Sequence, residues 1–315
     1  MTRTIPVFAG LTLAAIATIA LCTFIGPAGF GFVATAPGAA DIVGAIRFPR
    51  VLSAFFVGAS LAVAGAAMQS LFKNPMADPY ILGTSAGGAL GASLAIVFLG
   101  GLFVPVFAWA GAVLAILIVW SIAGRRGVIA VETLLLTGIA VSFFFSAIVS
   151  FLIAISGENV HQILFWLMGG LWNASPSDAL LSAGILITAG SLLFLMGRDL
   201  NALSLGEETA AHLGIDAARA RWAVLGGSTL LVAGAVSIAG SIGFIGLVTP
   251  HVVRMLLGPD NRVVIPACIL AGGILLVVSD TLTRTFLSDL PVGIITAFIG
   301  APFFIWLIWQ RGNVT

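Results

Sequence analysis

The sequence predicts an all-α integral membrane protein with about ten membrane-spanning helices. Of its 315 residues, 60% are hydrophobic and 8% are charged, and the mean hydropathy is +1.19. Soluble domains carry about 25% charged residues, so this chain has too few ionic groups to cover a water-facing surface. Its 38 glycines suit helices that pack closely in lipid. The net charge of +1 excludes the basic surface of a nucleic-acid-binding protein.

Ten apolar stretches are the predicted spans. A helix needs about 20 apolar residues to cross about 30 Å of hydrocarbon. Charges, prolines and glycine clusters delimit the spans to residues 5–26, 50–70, 80–100, 104–123, 130–154, 178–197, 219–239, 244–257, 263–283 and 292–310. The first is too long for the core of a cleaved signal peptide, so we expect it to be retained. The eighth is too short to cross alone, so it is predicted either to be a half-helix or to continue into the glycine-rich stretch before it. Cys22 and Cys268 lie in apolar runs and are predicted core residues.

The basic residues predict the orientation of the spans. Cytoplasmic loops of membrane proteins carry an excess of Lys and Arg. With the N-terminus in the cytoplasm, three of the 13 basic residues face outside and the others face the cytoplasm: Arg3, Lys73, Arg125, Arg126, Arg198, Arg219, Arg221, Arg254, Arg262 and Arg311. This bias predicts an even number of spans with both termini in the cytoplasm.

The three external basic residues are Arg47, Arg50 and Arg284. They either anchor the chain among lipid headgroups or receive the carboxylates of an external partner. The planar guanidinium fork of arginine suits the second role, because it binds a carboxylate with two parallel hydrogen bonds.

Two stretches interrupt the apolar pattern. Residues 74–88 contain two prolines and a glycine-rich helix start, which predict more irregular backbone than a simple turn needs. Residues 198–221 are too polar for a span and too short for a domain, so they predict one or two short surface helices. In the second stretch, residues 206–214 begin with two acids and end at Gly214, which is typical of a short helix. That helix either inserts into a partner's cleft or lies on the membrane.

A short internal repeat links the two halves of the chain. Residues 63–66 and 232–235 share the sequence Val-Ala-Gly-Ala, and each precedes a stretch broken by glycine or proline. The two spans are predicted to run in opposite directions, as inverted repeats of transporters do.

No catalytic or metal motif is present in the sequence. A Walker A loop, a zinc-spaced His/Cys cluster and a nucleophile elbow are all missing, and the three histidines are scattered. Glu132 and Asp280 lie near span ends and are predicted to be solvated charges. A multi-span enzyme would need clustered acids or histidines. The main alternative, an ion-coupled secondary transporter, would need a buried ionisable residue in mid-span.

Seven motifs, in order along nearly the whole chain, resemble the FecCD-type (type II) permeases of binding-protein-dependent ABC importers for vitamin B12, haem and ferric siderophores. The residues that carry the resemblance are Arg47–Arg50 (RFPR) with Gly65 and Gln69, Asn74–Pro79 (NPMADP) with Gly83, Gly206–Glu208 (GEE) with Leu213 and Gly214, Gly243–His251 (GFIGLVTPH) with Arg254, Asp280 with Arg284, Leu290–Gly293 (LPVG) and Gly300–Phe304 (GAPFF).

The resemblance implies one permease domain over residues 1–315, a type II fold of ten helices with an inverted repeat, and a homodimer around a central pathway in the cell inner membrane. Two separate ATP-binding subunits would bind ATP and Mg²⁺, so the chain itself would be no enzyme and would hold no cofactor or metal. A periplasmic or extracellular binding protein would deliver the substrate. We expect an iron chelate or haem first and cobalamin second.

The resemblance also implies roles for individual residues. Arg47, Arg50 and Arg284 would dock the binding protein, and Asn74, Met76, Val131 and Glu132 would flank the cytoplasmic narrowing of the pathway. A coupling segment at about residues 198–221 would contact the ATP-binding subunit through Gly206, Glu207, Glu208, Ala210, Ala211, Leu213 and Gly214. Transport would proceed by alternating access.

Overall fold

The computed structural model describes residues 4–26, 42–123 and 131–312, and this part of the chain is built from helices. The helices are α1 (Thr4–Phe24), α2 (Phe48–Leu71), α3 (Thr84–Leu99), α4 (Val104–Ala123), α5 (Val131–Ile155), α6 (Val160–Met168), α7 (Pro176–Leu195), α8 (Gly197–Leu205), α9 (Glu207–His212), α10 (Ala217–Ala239), α11 (Ile245–Leu257), α12 (Asn261–Phe286) and α13 (Val292–Gly312). A π-helical turn, Ile42–Arg47, leads into α2, and another, Leu186–Gly190, interrupts α7.

Each of the ten predicted spans corresponds to a helix. In the described ranges, seven helices are long and apolar enough to cross a membrane, and α3, α11 and the apolar part of α13 are shorter. The half-helix predicted for the eighth span is confirmed, because α11 has 13 residues. The two short helices predicted within residues 198–221 are α8 and α9. The sequence analysis missed α6, a nine-residue helix between the fifth and sixth predicted spans.

Helix α2 lies at the centre of the bundle. Nearly all of its residues are buried, and it packs against α7, α10, α11 and α12. Glycines allow its backbone to touch its neighbours directly: Gly58 meets the carbonyl of Gly272 in α12, and Gly65 meets Gly246 in α11. A Cβ atom at any of these positions would clash with the facing backbone. In lipid the hydrophobic effect does not drive helices together, because the lipid tails are themselves apolar. Close packing of this kind stabilises the association of helices instead.

The remaining helices form a second group beside this centre. Helix α3 packs on α4 and α5, and Gly87 and Gly111 bring the backbones of α3 and α4 together. Helix α10 lies between the groups and contacts both α2 and α4. The outer faces of α5 and α13 expose large aromatic side chains, among them Phe143 and Phe298. Such faces contact either lipid or another protein chain.

The predicted core positions of the two cysteines are confirmed, because Cys22 and Cys268 are both buried. The two Val-Ala-Gly-Ala repeats, residues 63–66 and 232–235, are buried late in α2 and α10. Each of these helices is followed by a non-helical break, at residues 72–83 and 240–244 respectively.

Candidate functional site

One end of the bundle, here called the Arg50 end, holds a cluster of buried charges. Arg50 of α2 reaches Asp280 of α12, with 2.8 Å between Nη2 and Oδ1, and its Nε donates to both carboxylate oxygens of Asp280 at 3.0 and 3.1 Å. Arg50 also donates to both oxygens of Asp289, at 2.6 and 3.1 Å. The side chain of Asp280 is 1% exposed and that of Asp289 is 39% exposed. The fork of Arg50 is therefore filled by carboxylates of its own chain.

The other two arginines of this end connect α1 to the cluster. Arg284 lies one helical turn after Asp280, with 3.9 Å between its Nε and Oδ2 of Asp280, and its side chain is 5% exposed. Its Nη2 donates to the carbonyl of Cys22 in α1. Arg47 is half-buried, and its Nη1 donates to the carbonyl of Phe24 at 3.3 Å. The last turn of α1 thus rests on two guanidinium groups.

The prediction that Asp280 is a solvated charge is wrong. Its carboxylate lies inside the bundle because Arg50 and Arg284 flank it and compensate its charge. The spacing of four residues between Asp280 and Arg284 was a signal for this pairing. Glu132 is exposed, in agreement with its prediction. The docking role of Arg47, Arg50 and Arg284 stays a prediction; Arg47 and Arg50 are half-buried and Arg284 is buried.

Asp289 is a site residue that the sequence analysis missed. It lies in the turn between α12 and α13, where Ser288 and Asp289 both adopt left-handed backbone with φ of 51° and 59°. The carbonyl of Asp289 accepts a hydrogen bond of 2.9 Å from the indole N–H of Trp172. This turn aims the carboxylate at Arg50, which lies 239 positions away in the chain.

The two helix breaks meet inside the bundle. The hydroxyl of Tyr80 donates to the carbonyl of Ile242 at 3.0 Å and accepts from its N–H at 3.2 Å. The hydroxyls of Ser85 and Ser241 lie 2.7 Å apart. Irregular backbone at membrane depth requires such partners or a water-filled cavity. The Tyr80 side chain therefore supplies both hydrogen-bond partners of the Ile242 backbone in the second break.

Asn74 and Asp78 shape the first break. The side-chain oxygen of Asn74 accepts from the N–H of Met76 at 2.9 Å, and that of Asp78 accepts from the N–H of Tyr80 at 2.7 Å. Both are local turns of the kind that Asn and Asp favour. Asn74 is exposed and Met76 half-buried. Val131 begins α5, and its side chain lies outside the described residues.

The opposite end of the bundle carries α8 and α9, and it is called the Asn201 end after a residue of α8. Gly206, with φ of 134°, separates the two helices, and Gly214, with φ of 77°, ends the turn that follows α9. The N–H of Gly214 donates to the carbonyl of Ala211 at 2.9 Å. Ala210 is buried, whereas the α9 segment presents Glu208, Ala211 and Leu213 to solvent, and the side chain of Glu207 lies outside the described residues. The coupling role of residues 206–214 stays a prediction.

Comparison with known proteins adds three findings. The model of the FecCD transport family matches residues 10–310. The cobalamin import system permease BtuC of Halobacterium salinarum is 42% identical over 98% of this chain and 83% of its own length. The hemin transport system permease HmuU of Yersinia pestis is 41% identical over 84% of this chain and 82% of its own.

A solved structure shares the whole architecture. An inward-facing metal-chelate type ABC transporter superposes with a TM-score of 0.89 at 33% identity, and the match covers 97% of this chain and 99% of the other.

The charge cluster predicts unequal effects of its two carboxylates. Asp280→Asn leaves Arg284 without a buried counter-charge, so we expect a loss of about 3–5 kcal/mol of stability. Asp289→Asn removes a half-exposed partner and should cost less than about 1 kcal/mol. Apparent melting temperatures in detergent measure both variants. Equal melting temperatures for the two variants would contradict the placement of Asp280 in the core.

Proposed function

Because the chain belongs to the FecCD transport family, we propose that it is the membrane-spanning permease subunit of a binding-protein-dependent ABC importer for a metal chelate. The observation that carries the proposal is the match over 97% of the chain to a metal-chelate type ABC transporter. As a permease subunit the chain is not an enzyme. ATP hydrolysis, with its Mg²⁺, takes place in a separate subunit.

We propose that the Asn201 end faces the cytoplasm. Most basic residues of the described part lie in loops or helix ends on this side of the bundle. In membrane proteins, cytoplasmic loops carry the excess of Lys and Arg. These residues are Lys73, Arg198, Arg219, Arg221, Arg254 and Arg262. Two ATP-binding subunits would bind here, one to each copy of a homodimer in the cell inner membrane. The exposed aromatic faces of α5 and α13 support contact with lipid and with the second copy.

The Arg50 end would then receive the substrate-binding protein. Arg47 is half-buried, and its guanidinium would contact a partner carboxylate directly. Arg50 is bonded to Asp289, whose carboxylate is partly exposed. A carboxylate of the binding protein can take the place of Asp289 on Arg50 without uncovering Asp280. Arg284 is buried beneath this surface, where it lies next to Asp280, and would not contact the partner itself.

Transport would follow alternating access. The first break, with Asn74 and Met76, would narrow the cytoplasmic side of the pathway together with Val131 and Glu132 at the start of α5. Docking of the loaded binding protein releases the substrate between two copies of the chain. ATP binding and hydrolysis then move α9 and reorient the helices. Motion at the cytoplasmic end thereby changes the side of the membrane to which the pathway is open.

A purification experiment tests this function. The permease, expressed with its cognate ATP-binding subunit, should elute as a complex whose ATPase activity is stimulated by the loaded binding protein. Glu208→Lys reverses a charge on the exposed face of α9 and should weaken this association, while the neighbouring surface variant Ser204→Ala should not. Uptake driven by an ion gradient, with no ATP-binding subunit present, would contradict the proposal.

Docking at the Arg50 end predicts a salt-dependent effect. Arg47→Glu reverses a half-buried charge that makes no contact with Asp280 or Asp289, so we expect about tenfold weaker docking of the binding protein at low ionic strength and a smaller difference at high salt. The melting temperature should stay near that of the unaltered protein, because Arg47 makes one exposed hydrogen bond. Surface plasmon resonance on permease in nanodiscs measures the affinity. Docking that is unchanged at every salt concentration would refute the assignment.

The substrate class has its own test. We propose a macrocyclic metal complex, cobalamin or haem, ahead of a ferric siderophore, because the relatives cited carry those two substrates in their names. The cognate binding protein, purified from cells supplied with cyanocobalamin, haemin and a ferric hydroxamate, should retain one of the two macrocycles, which its visible absorption spectrum identifies. Retention of the hydroxamate alone would overturn the proposal.

A further inference from the structure

A second polar cluster lies at the Asn201 end, between α8 and the centre of the bundle. It is formed by Asn201 of α8, Asp260 and Asn261 at the start of α12, Ser70 near the end of α2 and Arg254 of α11, and is called the Asn201 cluster below. Asn261 and Ser70 are 1% and 4% exposed. Four helices, α2, α8, α11 and α12, therefore share one hydrogen-bonded group.

The side-chain amide of Asn201 is fully engaged with α12. Its oxygen accepts from the backbone N–H and from Nδ2 of Asn261, both at 2.8 Å. Its Nδ2 donates to Oδ1 of Asp260 at 2.7 Å. At the start of α8, Gly197 lies against Arg262, so that a Cβ atom there would be 3.1 Å from the Cγ of Arg262. These contacts attach α8 to the first turn of α12.

Asn261 also forms hydrogen bonds with residues of α2 and α11. Its oxygen accepts from the hydroxyl of Ser70 at 2.9 Å and from Nη2 of Arg254 at 3.0 Å. The same Nη2 lies 2.8 Å from the hydroxyl of Ser70 and 2.9 Å from the carbonyl of Ala66. In the described part of the chain, no carboxylate lies within 4.0 Å of this guanidinium. The cation is held by neutral oxygen atoms alone.

The positions of Ser70 and Arg254 relate the cluster to the two helix breaks. Ser70 lies at the end of α2, just before the break at residues 72–83, and Arg254 lies on α11, which starts directly after the break at residues 240–244. The breaks contact each other through Tyr80. On the other side, α8 continues through Gly206 directly into α9. Ser70 thus connects the cluster to the first break, and Arg254, in the last turn of α11, connects it to the helix that follows the second break.

We propose that the Asn201 cluster is the mechanical link that transmits displacement of α9 to the two breaks, with Asn201 as its positioning residue. The link rests on the proposed function, because a bound ATP-binding subunit is what displaces α9. Separating α8 from α12 would leave buried amides, a hydroxyl and a cation without partners, which is unfavourable. Helices α2, α8, α11 and α12 therefore move as one body against α3, α4 and α5.

The test uses the complete complex in lipid nanodiscs, with Asn74→Cys as reporter. Asn74 is exposed in the first break, and the two native cysteines are buried and should not react. The rate of labelling by a membrane-impermeant maleimide is measured with and without ATP. We expect ATP to change this rate in the reporter protein, and Asn201→Ala to reduce the change about threefold or more. ATP hydrolysis and retention of the ATP-binding subunit should persist.

Ser204→Ala is the matched control. Its hydroxyl is on the same helix and bonds only to the carbonyl of Asn201 at 2.6 Å, so the ATP response should remain. Asn261→Asp is a second test variant. It keeps oxygens toward Ser70 and gives Arg254 a counter-charge, so the protein should still fold, but it replaces the side-chain donor to Asn201 with an acceptor and leaves only the backbone N–H of residue 261 to donate. The response should fall as it does in Asn201→Ala.

The possible outcomes distinguish failure of the proposed link from failure of the proposed importer function. A response in Asn201→Ala and Asn261→Asp equal to that in Ser204→Ala overturns the link while leaving the importer intact. A reporter protein that retains no ATP-binding subunit, or that shows no response to ATP, contradicts the proposed function, and the link falls with it.

Discussion

The antiparallel contact between α2 and α12 is the constraint on which the rest of the structure depends. In its middle, Gly58 and Gly272 bring the two backbones into contact. At one end Arg50 and Asp280 form a buried ion pair, and at the other Ser70 donates to Asn261. A bilayer supplies no water to satisfy these groups, so the pair cannot slide without unmaking its polar contacts. Helices α1, α7, α10 and α11 all pack on this frame.

A rigid frame beside a second helix group suits alternating access. The first break joins the frame to α3, and the second break is held on the frame by α11. The second break is hydrogen-bonded to the Tyr80 hydroxyl of the first break and to Ser85 at the start of α3, so a small rotation of the frame alters these two contacts. Motion is concentrated where the hydrogen bonding is irregular, and it is excluded where glycines and charges lock two helices together.

Hydropathy predicted the spans because a bilayer demands a minimum apolar length, and this demand acts on each segment by itself. Proline and glycine chemistry likewise predicted the first break and the short helices of residues 198–221. The pairing of Arg50 with Asp280 was not predictable in this way, since 230 positions separate the two residues. Asp280 consequently looked like a solvated charge at a helix end. Asn201 and Asn261 gave no local signal, because an asparagine is informative only once its partners are known. The nine residues of α6 are too few to register as a span.

Hydrogen–deuterium exchange on the complete complex in nanodiscs tests the frame most directly. Amide exchange slows with the free energy of local opening, so a rigid frame flanked by mobile breaks leaves a distinct pattern. The account predicts that the amides of α2 and α12 exchange slowest and are insensitive to ATP, whereas those of residues 72–83 and 240–244 change on ATP binding. ATP-dependent exchange within the middle of α2 and α12, together with unchanged breaks, would contradict it.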